Sequence, residues 1–228
     1  MASPLKSGLS DLRSIQREIA EKVLLEDRFE QPITSVAGVD LAFSDETGIA
    51  ACVAANYPPQ KILEAQTAVI PLSFPYISTF LTFREGPPMI RAISCTKTRV
   101  SIFLINGQGL AHPLRCGLAS HLGVQSCHPT IGVTKNRLIG EYDHVPEGEQ
   151  DAVPLTFKGE QVGWVLKSRK GSKPIYVSPG HMVSLHSSLA IVRACLAGHR
   201  LPEPIRMAHE AANHEKRRLE AMRLSVHP

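Results

Sequence analysis

With 228 residues, 43% of them apolar and 20% charged, the chain can bury one substantial core, and that composition excludes a disordered chain away from its ends. A formal net charge of +4 suits a polyanionic partner. No apolar run approaches the roughly 20 residues that a membrane-spanning helix needs, and Met1-Ala-Ser-Pro-Leu-Lys lacks a signal-peptide core, which argues against a membrane or secreted protein. Five scattered cysteines without C-x-x-C spacing fit a reduced compartment. The expectation is one domain over residues 1–228, monomeric and cytoplasmic or nuclear.

In chain order, Leu12, Ile15, Ile19 and Val23 recur at helical spacing and predict an amphipathic helix over about 9–25. Strands follow at 36–43, 48–55 and 61–70 with turn residues between them, the pattern of an antiparallel meander. After Pro71 the texture alternates. It predicts a helix near 86–95, strand 101–105, helix near 114–122, strand 129–133, strands near 161–166 and 174–178, helix 184–197, and a last helix over 203–219 with a frayed tail beyond. Residues 142–159, rich in Pro, Gly and acidic side chains, read as a surface loop without chemistry. A meander followed by alternating units makes an α/β architecture, a mixed β-sheet flanked by helices of the ribonuclease H type.

Several residues stand out against this frame. Asp40 is a charge inside an otherwise apolar or small run, and a buried carboxylate needs a partner or a metal. Taken alone, a metal ligand and a structural ion pair are equally good readings. Glu85 precedes Gly86-Pro87-Pro88, which suits a helix start, so its plain reading is an acid at the positive end of a helix dipole. Asn106 closes a short buried strand and Lys135 follows another, where open α/β sheets place ligand-binding groups. Gly107 and Gly109 form a turn signal. Two basic runs, Lys167-Ser-Arg-Lys170 with Lys173 and Lys216-Arg-Arg218 with Arg223, are either phosphate contacts or solvated surface. Alone, Tyr76 reads as an ordinary aromatic, His209 as an exposed helical histidine, and His121 and His128 as core or surface residues.

The segments Gly38-Val-Asp40, Pro75-Tyr-Ile77, Phe83-Arg-Glu85-Gly-Pro, Gly107-x-Gly109 with His112-Pro, Gly117 to Val124, Pro129 to Val133 with Lys135, Ser178-Pro-Gly-His181 and Arg200-Leu-Pro-Glu-Pro204 keep a common order over residues 10–210. Together they resemble the endonuclease V family, whose members act on inosine-containing nucleic acid. The resemblance implies hydrolysis of the second phosphodiester 3′ to inosine in DNA repair, with DNA as the first substrate and inosine-containing RNA as the alternative. It implies Mg²⁺, with Mn²⁺ as a substitute, held at Asp40, Glu85 and the position of Asn106. Lys135 would steady the phosphate and His209 would orient water or move a proton. Tyr76 would be the tip of a wedge that helps turn out the odd base. Gly107, Gly109 and His112 would line the base pocket. At Ser78 this chain lacks the second proline of the common Pro-Tyr-Ile-Pro wedge, which loosens the loop. His181 matches a motif with no catalytic role derivable from its chemistry.

One position departs from the pattern. The family carries an aspartate where this chain has Asn106, and one lost charge beside a divalent ion is worth on the order of a few kcal/mol at a protein-like dielectric, or roughly two or more powers of ten in affinity. Three explanations follow: an impaired form that binds inosine without cutting, a working enzyme served by two carboxylates, or an Asn-Gly pair that deamidates to aspartate. A zinc deaminase is excluded by the missing H-x-E and P-C-x-x-C motifs, and a serine hydrolase by the missing G-x-S-x-G.

Overall fold

The computed structural model describes residues 8–226, with side chains through residue 223. Helix α1 (Leu9–Ala20) leads into β1 (Ser35–Ser44), β2 (Thr47–Asn56) and β3 (Ile62–Pro71), which pair antiparallel as the expected meander. A 3-10 turn (Ser78–Phe80), α2 (Leu81–Cys95), β4 (Ile102–Asn106), α3 (Leu118–Ser126) and β5 (Thr130–Thr134) come next. The chain continues with β6 (Ala152–Phe157), β7 (Glu160–Leu166), β8 (Ile175–His181), α4 (Leu185–Ala194) and α5 (Glu203–Val226). All eight strands form one mixed sheet in the order β3-β2-β1-β4-β5-β8-β7-β6, with β1, β4 and β5 parallel. This is the helix-flanked mixed sheet expected from the sequence.

The central strands are buried on both faces and so read as almost continuous apolar runs. Period-two alternation sorts them. Val36, Ile102 and Leu104 face a core that includes Leu189 and Val192 of α4 and Ile205 of α5. Ala37, Val39, Phe103 and Ile105 face Met89 and Ile93 of α2 and Leu118 and Leu122 of α3.

Several boundaries differ from expectation. Helix α1 stops at Ala20 rather than 25, because the following segment leaves the helix to bond the far side of the sheet: Leu24 N–H donates to His181 Nδ1 at 3.2 Å and Met182 N–H to the Leu24 carbonyl at 2.7 Å. His181 is thus a structural acceptor, and Ile15 lies on the exposed side of the helix. Helix α2 begins five residues early and runs through Pro87 and Pro88, forgoing the bonds their missing N–H groups would make to Phe83 and Arg84. Helix α3 begins late, since Gly117 is spent on the preceding turn: a Cβ there would lie 2.2 Å from the Gln108 carbonyl oxygen. Helix α5 outruns residue 219 and reaches Val226.

The supposed loop at 142–159 contains β6. Pro154 argued against a strand, yet β6 is an edge strand of the sheet, the position where a missing N–H is tolerated.

Candidate active site

Strands β1 and β4 pair in parallel up to Val39 and Ile105, so the next residues, Asp40 and Asn106, emerge side by side at the carboxyl end of the sheet. Ligand sites of open α/β sheets lie there. Asp40 is 3% exposed, and its two oxygens are divided among three partners. Oδ1 accepts from Asn106 Nδ2 and from the Leu41 N–H, both at 2.8 Å. Oδ2 lies 2.8 Å from His209 Nδ1. With the Asn213 amide 3.2 Å from His209 Nε2, the consistent tautomer donates from Nδ1 to Asp40 and accepts at Nε2. The half-exposed helical histidine is thereby bound to the buried aspartate.

Gly38 explains how α5 reaches this point. A Cβ at residue 38 would sit 1.8 Å from the Pro204 carbonyl oxygen, so only glycine lets the first turn of α5 lie directly on β1. His209, on the second turn, then stands over Asp40, two residues along β1 from the crossing.

Glu85 is the fifth residue of α2, not a residue preceding it, which overturns the dipole reading. Burial, and then the negative charge of Asp40, push its pKa up to about 7. A buried Glu85 whose ionisation is opposed by the charge of Asp40 sets up the electrostatic condition that a cation relieves. The donor set therefore fits a hard divalent ion, but with two carboxylates and one amide. Among the described residues no group of three or more Asp, Glu, His or Cys side chains is arranged to hold a metal. Asn106 turns its amide nitrogen toward Asp40, so the amide oxygen is the atom left to face an ion. The Gly107 N–H, which deamidation would need as nucleophile, donates to the Ile105 carbonyl at 2.8 Å, a bond that opposes the cyclisation.

Beside this cluster opens a pocket of about 370 Å³ whose lining includes Tyr76, Asn106, Gly107, His112 and Lys135. Tyr76 is 68% exposed on a loop anchored beneath by Phe74, Phe80 and Leu12. His112 is buried, and desolvation holds its pKa below the ordinary value. Leu114 N–H donates to its Nδ1 at 3.2 Å, and its Nε2 lies 3.1 Å from the Thr79 carbonyl. It therefore joins the Tyr76 loop to the glycine turn.

The two glycines act differently from expectation. Gly107 lines the pocket, but a Cβ there would meet Leu118 at 2.8 Å; Gly109 lies outside the lining and packs against β8, where a Cβ would be 2.2 Å from the Pro179 carbonyl oxygen. Their smallness serves the packing of the turn.

Sequence reasoning missed three contributors. Gln108 lines the pocket and donates to Thr134 Oγ1 at 2.9 Å and to the Asn136 carbonyl at 3.0 Å. Arg137 lines it as well, with its guanidinium over the Tyr142 ring at 5.3 Å. Arg200 donates to the carbonyls of Lys135 (2.9 Å), Lys173 (3.0 Å) and Pro174 (2.9 Å), fixing the loop that carries Lys135. Only the Arg200 motif offered a signal, and periodicity does not report a side chain that bonds distant carbonyls.

The chain has relatives among known proteins. The family model described as Endonuclease V matches residues 17–210. The chain is similar to the endonuclease V of Nostoc punctiforme, 42% identical over 209 residues that span 91% of this chain and 95% of the relative. It is also similar to that of Archaeoglobus fulgidus, 38% identical over 216 residues, 94% and 96% of the two chains. Among solved structures, Streptomyces avermitilis endonuclease V matches with a TM-score of 0.88 at 33% identity, covering 96% of this chain and 98% of the other. Ciona intestinalis endonuclease V, in complex with a 24mer DNA containing an inosine followed by a ribo-adenosine, matches with a TM-score of 0.81 at 32% identity, over 92% and 98%.

Proposed function

Taking as premise that this chain belongs to the endonuclease V family of phosphodiester-hydrolysing nucleases, we propose that it recognises inosine in nucleic acid and cuts the second phosphodiester bond on its 3′ side, using Mg²⁺ or Mn²⁺. The observation that carries this reading is the adjacency of two structures: a base-sized pocket bordered by the exposed Tyr76, and the Asp40–Glu85 carboxylate pair next to it. The inosine-containing DNA bound by the Ciona relative supports the choice of base.

Asp40 and Glu85 would hold the ion, with the Asn106 amide oxygen as a neutral third donor. A bound divalent ion supplies water activation and neutralises charge on the scissile phosphate. The chain's own groups do the rest. His209 keeps Asp40 oriented through Nδ1, and its Nε2 lone pair would take a proton from water once the long 3.2 Å contact from Asn213 opens. Lys135 offers an exposed ammonium at the pocket mouth, where a flanking phosphate lies once the base is inserted. Tyr76 fills the gap left in the stack, an exchange that is cheapest at a mispaired base.

A second reading, inosine binding without cleavage, is favoured by one observation: Asn106 gives Asp40 an N–H in place of a third negative charge. A nicking assay on a deoxyinosine duplex, titrated with manganese, separates the two. The expected result is cutting by the native protein at high metal, with Asn106→Asp reaching the same rate at roughly a hundredth of the metal concentration. Cutting by Asn106→Asp alone would establish the binding-only form, and no cutting by either protein would overturn the nuclease reading. Matched DNA and RNA strands in the same assay read the effect of the 2′-hydroxyl.

A further inference from the structure

The two basic runs noted in the sequence have different surroundings in the fold. Along α5, Arg206 pairs with Glu203 and Glu210, Lys216 with Glu220, Arg218 with Glu215 and Arg223 with Asp45. That run is largely neutralised by its own neighbours. In the turn at 169–173, which leads into β8, Arg169, Lys170 and Lys173 are exposed, and among the described residues none of them is in an ion pair. The same holds for Lys135 and Arg137 at the pocket.

These cations belong to one surface. A single guanidinium, that of Arg200, bonds the carbonyls of both Lys135 and Lys173, so the pocket rim and the basic turn lie within the span of one side chain. The turn is closed on itself by Ser172, whose N–H and hydroxyl both donate to the Arg169 carbonyl. Tyr176, which follows it on β8, lies in the fields of Arg137 and Arg200 and in ring contact with Tyr142. The Arg137 guanidinium stacks on that second tyrosine. Crowded like charges that lack acidic partners repel one another, and a row of phosphates relieves this by releasing its counterions to solution. Cations interleaved with a tyrosine also suit an unpaired strand, whose bases stack while its backbone is tracked.

We propose that Arg169, Lys170 and Lys173 form a track for the sugar-phosphate backbone of the strand leaving the pocket, entered past Lys135 and Arg137 and held in place by Arg200. The track extends the inosine reading of the pocket and rests on it for its starting point. It acts on affinity and carries no base preference, since phosphate contacts position a strand without reading it.

Fluorescence anisotropy with single-stranded deoxyinosine oligonucleotides of about 5 and about 25 nucleotides, in metal-free buffer over a salt series, tests the track. The variant combines Arg169→Ala, Lys170→Ala and Lys173→Ala; the control combines Lys61→Ala, Arg91→Ala and Lys97→Ala, three exposed cations near the β3 edge. For the long strand the track variant is expected to bind about tenfold or more weakly at moderate salt, with a log–log salt slope shallower by about 2. The short strand and the control should follow the native protein. An unchanged slope in the track variant, or an equal loss in the control, would overturn the track. Equal affinity of the native protein for inosine and adenosine strands would overturn the base reading alone, because the slope comparison decides the track whichever base is held.

Discussion

At residue 106 a single atom changes the chemistry that the buried Asp40 meets. An aspartate there would repel Asp40 and share a cation with it; the amide bonds it instead. In the proposed metal site this exchanges affinity for the ion for a hydrogen bond worth roughly 1.5–3 kcal/mol to a charged acceptor, and the manganese titration proposed above reads that exchange. His121 illustrates a different residue-scale effect. It is buried beside Phe83 with no partner for its Nδ1 among the described residues, and desolvation lowers its pKa from 6.5 to about 4. The unfolded chain takes up this proton below about pH 6.5 while the fold resists it until about pH 4. Its contribution is therefore fully present above pH 6.5 and is lost as the solution is acidified, by up to about 3 kcal/mol. Urea unfolding of His121→Phe should show a smaller fall in stability than the native protein between pH 6.5 and pH 4. Parallel curves for the two proteins would assign the acid sensitivity to other groups.

At the scale of elements, the site is made by crossings. Strands β1 and β4 deliver Asp40 and Asn106 because their ladder ends one residue earlier, and α5 delivers His209 because Gly38 admits its first turn. Gly38→Ala should therefore cost about 3 kcal/mol or more, since the obstructing atoms are backbone and cannot rotate away. Chemical denaturation measures it; a loss below about 0.5 kcal/mol, the ordinary scale of a surface change, would mean that α5 shifts freely and does not fix His209. The meander and the alternating units were legible in the sequence, because strands buried on one or both faces announce themselves by period and by turn residues. Asp40 was legible for the same reason, as a charge in an apolar run. Hidden were features that depend on what lies across the sheet: Pro154 in β6 is allowed only by the edge position, Pro87 and Pro88 sit inside α2, and Gly109 serves β8 rather than the pocket. Arg200 was visible as part of a motif, but its hold on three carbonyls from two loops has no local pattern.

Across the whole molecule, one end of the sheet gathers the pocket, the carboxylates and the exposed cations on which the proposed function rests. The loop that carries Tyr76 comes from the segment before α2, the turn that lines the pocket from the residues after β4, the exposed cations from the loops after β5 and before β8, and the carboxylates from β1 and α2. The distribution of ion pairs has the same polarity, since α5 neutralises most of its charged residues internally, while among the described residues Lys135 and Arg137 at the pocket form no ion pair. The central claim is that Asp40 and Glu85 jointly seat one divalent cation beside the inosine pocket. Anomalous diffraction from crystals of the native protein grown with an inosine oligonucleotide and manganese tests it directly. The account predicts a manganese peak bonded to oxygens of both Asp40 and Glu85 and next to a backbone phosphate of the bound strand. A strand seated in the pocket with manganese bound elsewhere, or with Asp40 and Glu85 facing separate surroundings, would contradict it.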